Sequence, residues 1–337
     1  MIRRWFVLSI CLPVLGLGAA YGSDSEPVLF AAMAMTKEQE ASSLPTDSGV
    51  FLYDRERATW ERIGPVILFM NSIAADPSDP KRLFIACGNG IVRTTDGGRT
   101  WRMTTGWRES DLNKIAIDPS DGRNVYASSV WGVVVSRDGG DSWESANDGL
   151  PERYSRTILV DEQNPERVVV ATAAGIYVSY DRARTWNPVA SGPGEVVLDI
   201  ERSRADPHLW IAGTEGKGVY ISRDDGARWT SAVPGLDGAN IYGVAAHPED
   251  PSRFAAGGWD RGVWVSTDGG GSWADRREGL PSPHVTAVSY DPVDSGRLWA
   301  STFEEGTYYS DDDGRTWREG GLHGAYVFDL DYVIHAP

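Results

Sequence analysis

Apolar residues along this chain come in short alternating runs bounded by Gly, Pro, Asp or Ser, the pattern of strands buried on one face or both. One recurrent unit is an apolar run that ends in Asp-Pro or a relic of it, followed by a second apolar run. Ile73-Ala74-Ala75-Asp76-Pro77 with Leu83-Phe84-Ile85-Ala86, and Ile115-Ala116-Ile117-Asp118-Pro119 with Val125-Tyr126-Ala127, are examples. His247-Pro248 with Phe254-Ala255-Ala256, and Tyr290-Asp291-Pro292 with Leu298-Trp299-Ala300, repeat the scheme. A third run then opens after a Gly and leads through a polar turn to a Trp. Seven such tryptophans, Trp60, Trp101, Trp143, Trp186, Trp229, Trp273 and Trp317, follow one another at intervals of 41 to 44 residues. A period that steady marks a repeat array.

The polar turns share one grammar. Thr94-Thr95-Asp96-Gly97-Gly98-Arg99-Thr100-Trp101, Ser136 to Trp143, Ser266 to Trp273 and Ser310 to Trp317 all fit Ser/Thr-x-Asp-x-Gly-x-Ser/Thr-Trp. Two copies are worn: Ala183 stands where Gly is expected before Trp186, and Arg228 replaces the hydroxyl before Trp229. Before Trp60, Tyr53, Arg55 and Arg57 replace Ser, Asp and Gly, so this copy reads as lost. Four short strands per unit predict an all-β, seven-bladed β-propeller with four-stranded antiparallel blades. No segment carries a helical period. The final run, Val327 to Val333, has no outer strands after it, and Val28-Leu29-Phe30, Val50-Phe51-Leu52 and Ala58-Thr59-Trp60 have no innermost strand before them. Together they predict one composite blade that closes the ring and leaves no open sheet ends. Residues 36–48 read as a mobile polar insertion in that blade, and residues 23–337 as a single domain.

Composition adds a partner class to exclude. With 32 Lys+Arg against 48 Asp+Glu the net charge is -16, which argues against a nucleic-acid backbone as ligand. Arg3 and Arg4 before the apolar stretch Trp5 to Ala20, with small residues about Tyr21, resemble a secretory signal cleaved near Gly22. A periplasmic or extracellular protein without membrane insertion after cleavage is expected. An uncleaved anchor and acylation at Cys11 are the alternatives; Pro13, Gly16 and Gly18 weaken the first, and Ile10 the second. Cleavage leaves Cys87 without a partner, so stability rests on packing. His208, His247, His284, His323 and His335 show no ligand spacing and no phosphate loop is present, so neither metal nor cofactor is expected.

The turn motif and its period resemble the Asp-box, or BNR-repeat, propellers over nearly all of the chain after residue 22. The resemblance implies that Asp96, Asp138, Asp181, Asp224, Asp268 and Asp312 shape hairpin turns between third and fourth strands. It likewise implies that Trp101, Trp143, Trp186, Trp229, Trp273 and Trp317 wedge against neighbouring blades. Asp311-Asp312-Asp313-Gly314 lacks the spacing of a calcium loop and reads as one such turn.

A four-stranded meander puts second-to-third strand loops and blade connections on the face opposite these turns. The loop candidates are Asn89, Trp131, Glu215, Lys217, Trp259, Asp260, Arg261, Phe303, Glu304 and Glu305. The connection candidates are Trp107, Arg108, Glu109, Asp111, Arg153, Tyr154, Arg156, Tyr242 and His284. Trp107, Trp131 and Trp259 are expected to be exposed, whereas Trp210, Trp264 and Trp299 sit in strand patterns and belong to the core. Trp107, Trp131, Trp259, Asp260, Arg261, Arg153, Tyr154, Glu215 and Tyr242 make a binding face for a protein or a glycan, and a monomer is expected.

The family resemblance supports two functions. Single exported propellers of the Ycf48 photosystem-assembly type and of the sortilin type are binding scaffolds. Sialidases and xyloglucan hydrolases instead cleave glycosidic bonds with paired carboxyl groups. Asp111, Asp260, Glu215, Glu304 and Glu305 could supply such a pair. Against it, Arg62-Ile63-Gly64-Pro65 only grazes the sialidase Arg-Ile-Pro segment, and the three-arginine clamp and the Tyr/Glu nucleophile are missing. The xyloglucanase pattern has two tandem propellers where this chain has one. A non-catalytic binding propeller is therefore the leading expectation and a glycoside hydrolase the second.

Overall fold

The computed structural model describes residues 27–40, 47–66, 69–232 and 235–333, so the leader reading of residues 1–22 lies outside the described residues. Strands β1 (Val28–Thr36), β2 (Gly49–Asp54) and β3 (Thr59–Ile63) open the chain, with helix α1 (Lys37–Glu40) between the first two. The first complete blade is β4 (Met70–Asp76), β5 (Asp79–Cys87), β6 (Gly90–Thr94) and β7 (Arg102–Met103). The second is β8 (Leu112–Ile117), β9 (Val125–Ser129), β10 (Gly132–Ser136) and β11 (Glu144–Ser145). The third is β12 (Ser155–Val160), β13 (Val168–Thr172), β14 (Gly175–Ser179) and β15 (Asn187–Pro188). The fourth is β16 (Val197–Arg202), β17 (Trp210–Thr214), β18 (Gly218–Ser222) and β19 (Thr230–Ala232). The fifth is β20 (Ile241–Ala246), β21 (Phe254–Gly258), β22 (Gly262–Ser266) and β23 (Ala274–Asp275). The sixth is β24 (Val285–Tyr290), β25 (Leu298–Thr302), β26 (Gly306–Ser310) and β27 (Arg318–Gly321). β28 (Ala325–Val333) pairs antiparallel with β1, giving a seventh sheet in the order β28-β1-β2-β3.

The result is a seven-bladed all-β propeller of four-stranded antiparallel sheets. The inner strands β4, β8, β12, β16, β20, β24 and β28 each contact the next, and β28 contacts β4. All seven carry the same irregularity: one extra residue bulges, at the second position of six strands, Asn71, Asn113, Arg156, Leu198, Tyr242 and Thr286, and at the fourth position of β28, Phe328. A bulge bends and twists the strand locally, which suits an edge wrapped around an axis. Three of these side chains also stitch blades together. Asn71 Nδ2 donates to the Leu112 carbonyl at 2.7 Å, Asn113 Nδ2 to Ser155 at 2.9 Å and Thr286 Oγ1 to Val327 at 2.6 Å.

Seven apolar clusters of described residues fill the seven blade interfaces. Ile, Val and Ala of the inner strands supply much of them, and the repeat tryptophans close them from outside. Trp186, Trp229 and Trp273 are buried, while Trp60, Trp101, Trp143 and Trp317 are half-buried. Trp210 and Trp299 are wholly buried, and Trp264 is half-buried against the fourth–fifth interface.

In the polar turns, hydroxyl and carboxylate replace the missing ladder bonds. Ser136 Oγ accepts the Gly140 amide at 2.7 Å and donates to Asp138 Oδ1, which accepts the Ser142 amide at 2.9 Å. Ser142 Oγ donates to Asp138 Oδ2 at 2.6 Å. Hydrogen bonds to the charged form hold the carboxyls of Asp96, Asp138, Asp268 and, against a burial penalty, Asp181 and Asp312 down at about 2. Asp224 is lowered through the Arg228 amide and the Ser222 hydroxyl, with no hydroxyl at position 228.

Two features add to the expected scheme. The insertion at residues 36–48 contains a turn of helix: Thr36 Oγ1 accepts the Gln39 amide at 3.3 Å and Gln39 Oε1 accepts the Thr36 amide at 3.0 Å. That reciprocal pair is a capping box. Residues 41–46 lie outside the described residues. The copy before Trp60 reads as lost, yet Arg55 in the β2–β3 turn donates twice to Asp291, at 2.7 and 2.8 Å, and thereby ties the composite blade to the sixth.

Candidate functional site

The meander sends the Ser-x-Asp turns and the first-to-second strand loops to one end of the ring, and the remaining loops to the other. Asn89, Trp131, Glu215, Lys217, Trp259, Asp260, Arg261, Phe303, Glu304 and Glu305 lie in second-to-third strand turns at that other end. Trp107, Arg108, Glu109, Asp111, Arg153, Tyr154 and His284 lie in blade connections on the same face. Arg156 and Tyr242 depart from expectation: they are the bulged second residues of β12 and β20, at the mouth of the axial channel.

One sector of this face is apolar and open. Trp107 is 84% exposed, Trp131 61% and Tyr154 38%. The loops of Trp107 and Trp131 bond to one another, and Tyr154 lies in the next blade connection. The Val130 amide donates to the Asp111 carbonyl at 3.2 Å, and Trp131 Nε1 to Asp111 Oδ2 at 3.3 Å. The guanidinium of Arg108 lies over the Trp107 ring at 5.1 Å, and Arg153 is exposed beside Tyr154. A sheet of exposed indole and phenol edged by arginine is the composition of a recognition surface.

The opposite sector is closed by aromatic packing. Trp259, expected to be exposed, is half-buried because His284 stacks on it at 4.2 Å and Phe303 meets it edge-on at 5.1 Å. Tyr242 and Tyr326 extend the row at 6.1 and 4.8 Å. The carboxylates here are engaged: Asp260 Oδ1 lies 3.2 Å from His284 Nδ1, and Glu304 and Glu305 lie 3.2 and 3.5 Å from Lys37 of α1. Glu215 is exposed, and its neighbour Lys217 pairs loosely with Glu195 at 3.8 Å. Asp111, Asp260 and the Glu304–Glu305 pair thus sit on three different blades, each with its own local partner.

The ionisable cluster that sequence reasoning missed is in the channel, a cavity of about 660 Å³ between the inner strands. Lys114 of β8 lies 3.1 Å from Asp329 and 3.2 Å from Asp331, both on β28. Asp199 and Glu201 of β16 also line it and accept the amides of Val244 and Ala246 at 3.1 and 3.3 Å. Burial, partly offset by Lys114, pushes Asp199 up to about 6; burial together with the Asp199 charge pushes Glu201 up to about 8. Burial acts against the charge on Lys114, but Asp329 and Asp331 outweigh it and raise its affinity for the proton. The available signal was carboxylates alternating with Ile or Leu on innermost strands, at Asp199-Ile200-Glu201 and Asp329-Leu330-Asp331. Among the described residues, no group of three or more His, Cys, Asp or Glu is placed to hold a metal ion, and no helix is long and apolar enough to cross a membrane.

A family model described as "Sortilin-Vps10: Sortilin, neurotensin receptor 3" matches residues 217–326. No curated protein matches the chain in sequence. Among solved structures it is similar to the GH74 enzyme of Niastella koreensis, with 15% identity and a TM-score of 0.68 over 86% of this chain and 51% of that one. The GH74 xyloglucanase of Xanthomonas campestris gives 18% identity and 0.67 over 93% and 53%. YCF48 of Cyanidioschyzon merolae gives 15% and 0.61 over 79% and 95%. The chain spans about half the length of the two GH74 proteins, and at these identities the likeness is one of fold.

Proposed function

We propose that the chain is an exported, non-catalytic scaffold that binds a partner protein through the sector built by Trp107, Arg108, Trp131, Arg153 and Tyr154. The observation that carries this reading is the exposure of three large aromatic side chains on successive loops of one face, two of them bonded to each other. Holding them in water is unfavourable unless a partner covers them, and Trp, Tyr and Arg dominate the energetics of protein interfaces. Export is supported by the leader pattern of residues 1–22. Glycoside hydrolysis, the activity in the name of one GH74 relative, is the second reading; the separate engagement of Asp111, Asp260, Glu304 and Glu305 counts against it.

One experiment separates the two. A partner captured by the full chain from a cell-envelope extract is identified, purified and titrated against the wild type and the Trp107→Ala/Trp131→Ala variant. The scaffold reading expects a loss of about 30-fold or more, from roughly 2 kcal/mol at an interface anchor. Sugar release from a polysaccharide panel that disappears in Asp260→Asn or Glu304→Gln overturns it in favour of hydrolysis.

A further inference from the structure

The axial channel holds one ammonium against four carboxylates, and its geometry divides them into two pairs. Lys114 grips Asp329 and Asp331, reaching from β8 to β28 past the intervening strand β4. The gripped strand is the one whose pairing with β1 joins the two ends of the chain: Asp329 stands opposite Ala32 and Asp331 opposite Phe30. Asp199 and Glu201 have no cation within salt-bridge distance among the described residues and lean on the backbone of β20. At the corresponding third and fifth positions the other inner strands carry only uncharged residues: Ser72 and Ala74, Thr157 and Leu159, Gly243 and Ala245, Ala287 and Ser289. The remaining charged or titratable groups along the channel are Arg156 and Tyr242 at one mouth, Tyr290 and Tyr332 on β24 and β28, and Arg202, Arg204 and Glu162 at the other end. Arg202 is committed to Asp161 at 2.6 Å and Arg204 to Glu162 at 3.1 Å.

We propose that this channel is a proton-linked brace: proton uptake by Asp199 and Glu201 relieves the crowding of negative charge across the axis, so that the Lys114 grip on β28, and with it the ring seam, is firmer in mildly acidic surroundings than in alkaline ones. Burial supplies the direction, since it lifts Asp199 to about 6 and Glu201 to about 8, above the value near 4 that a carboxyl has in an unfolded chain. Between those values folding takes up protons, and stability therefore rises as pH falls from about 8 toward about 5. Asp329 is raised as well, by burial and against the pull of Lys114, and its own protonation would release the grip.

The test compares the full wild-type chain with Asp199→Asn/Glu201→Gln. Melting temperature is followed from pH 5 to 9, and amide exchange of β28 and β1 is measured at pH 6 and 8.5. The brace predicts that the wild type gains several degrees relative to the variant on acidification, and that protection of β28, taken relative to the intrinsic exchange rate at each pH, rises about tenfold in the wild type and not in the variant, the equivalent of one pKa unit. Parallel pH profiles for the two proteins overturn the proposal. If the variant does not fold, carbon-13 carboxyl titration of the wild type decides. Titration of Asp199 and Glu201 well above 5 supports the brace, and titration of both near 4 refutes it.

Discussion

Replacing Arg55 by Ala removes the clamp between the sixth blade and the composite blade. Asp291 has no exposed side-chain surface and receives both guanidinium nitrogens, while Arg55 is about a quarter exposed. Breaking a buried pair by deleting one partner costs about 3–5 kcal/mol, because a buried charge is left behind. Two features reduce that figure here: water reaches one side of Arg55, and Asp291 keeps the Tyr332 hydroxyl at 2.9 Å and the amides of Val293 and Asp294 at 2.9 and 3.0 Å. A cost of about 2–4 kcal/mol remains, or a melting temperature lower by roughly 3–6 °C in a domain of this size. Thermal unfolding followed by circular dichroism at pH 7 measures it, and Asp291→Asn with the double variant completes a cycle that isolates the pair. Burial raises the Asp291 carboxyl, and Arg55 together with the Asp294 and Val293 amides more than offsets this, so the net shift is downward and the effect of Arg55→Ala should shrink in acid. A melting temperature within about 1 °C of wild type, or a coupling energy under about 0.5 kcal/mol, refutes the clamp.

Two further outcomes are expected. Gly149→Ala should cost about 2–4 kcal/mol, since Gly149 sits at φ +93° and a Cβ there runs into the Trp186 backbone; Gly279→Ala, at φ +92° with its nearest neighbour 3.9 Å away, should cost only about 1 kcal/mol, and equal denaturation midpoints for the two would contradict this. Acid should unfold the protein between about pH 4 and 2, because the turn carboxyls held at about 2 give stability that is present above the unfolded value near 4 and lost as pH falls toward the folded one; unchanged stability across that range, read by denaturant titration, would count against the turn network.

Blade number and strand order were legible because they are written locally. A Trp wedge and an apolar alternation recur in each unit and a Ser/Thr-x-Asp turn in six of the seven, and period counting needs no knowledge of contacts. The face was legible too, since a meander fixes which loops share an end. What failed depends on partners distant in sequence. Arg55 looks like a decayed turn residue until Asp291, from the adjacent blade, meets it. Trp259 looks exposed until His284 and Phe303 cover it. The channel cluster joins β8, β16 and β28, which no local window spans, and the α1 capping box, Thr36 to Gln39, forms a single helical turn, too short to show a period.

The scaffold role depends most directly on where a partner touches the ring. Amide-exchange footprinting of the full chain with its captured partner bound should show protection confined to the loops bearing Trp107, Trp131 and Tyr154. Protection centred on the Ser-x-Asp turns at the other end, with those loops exchanging as freely as before, would contradict it.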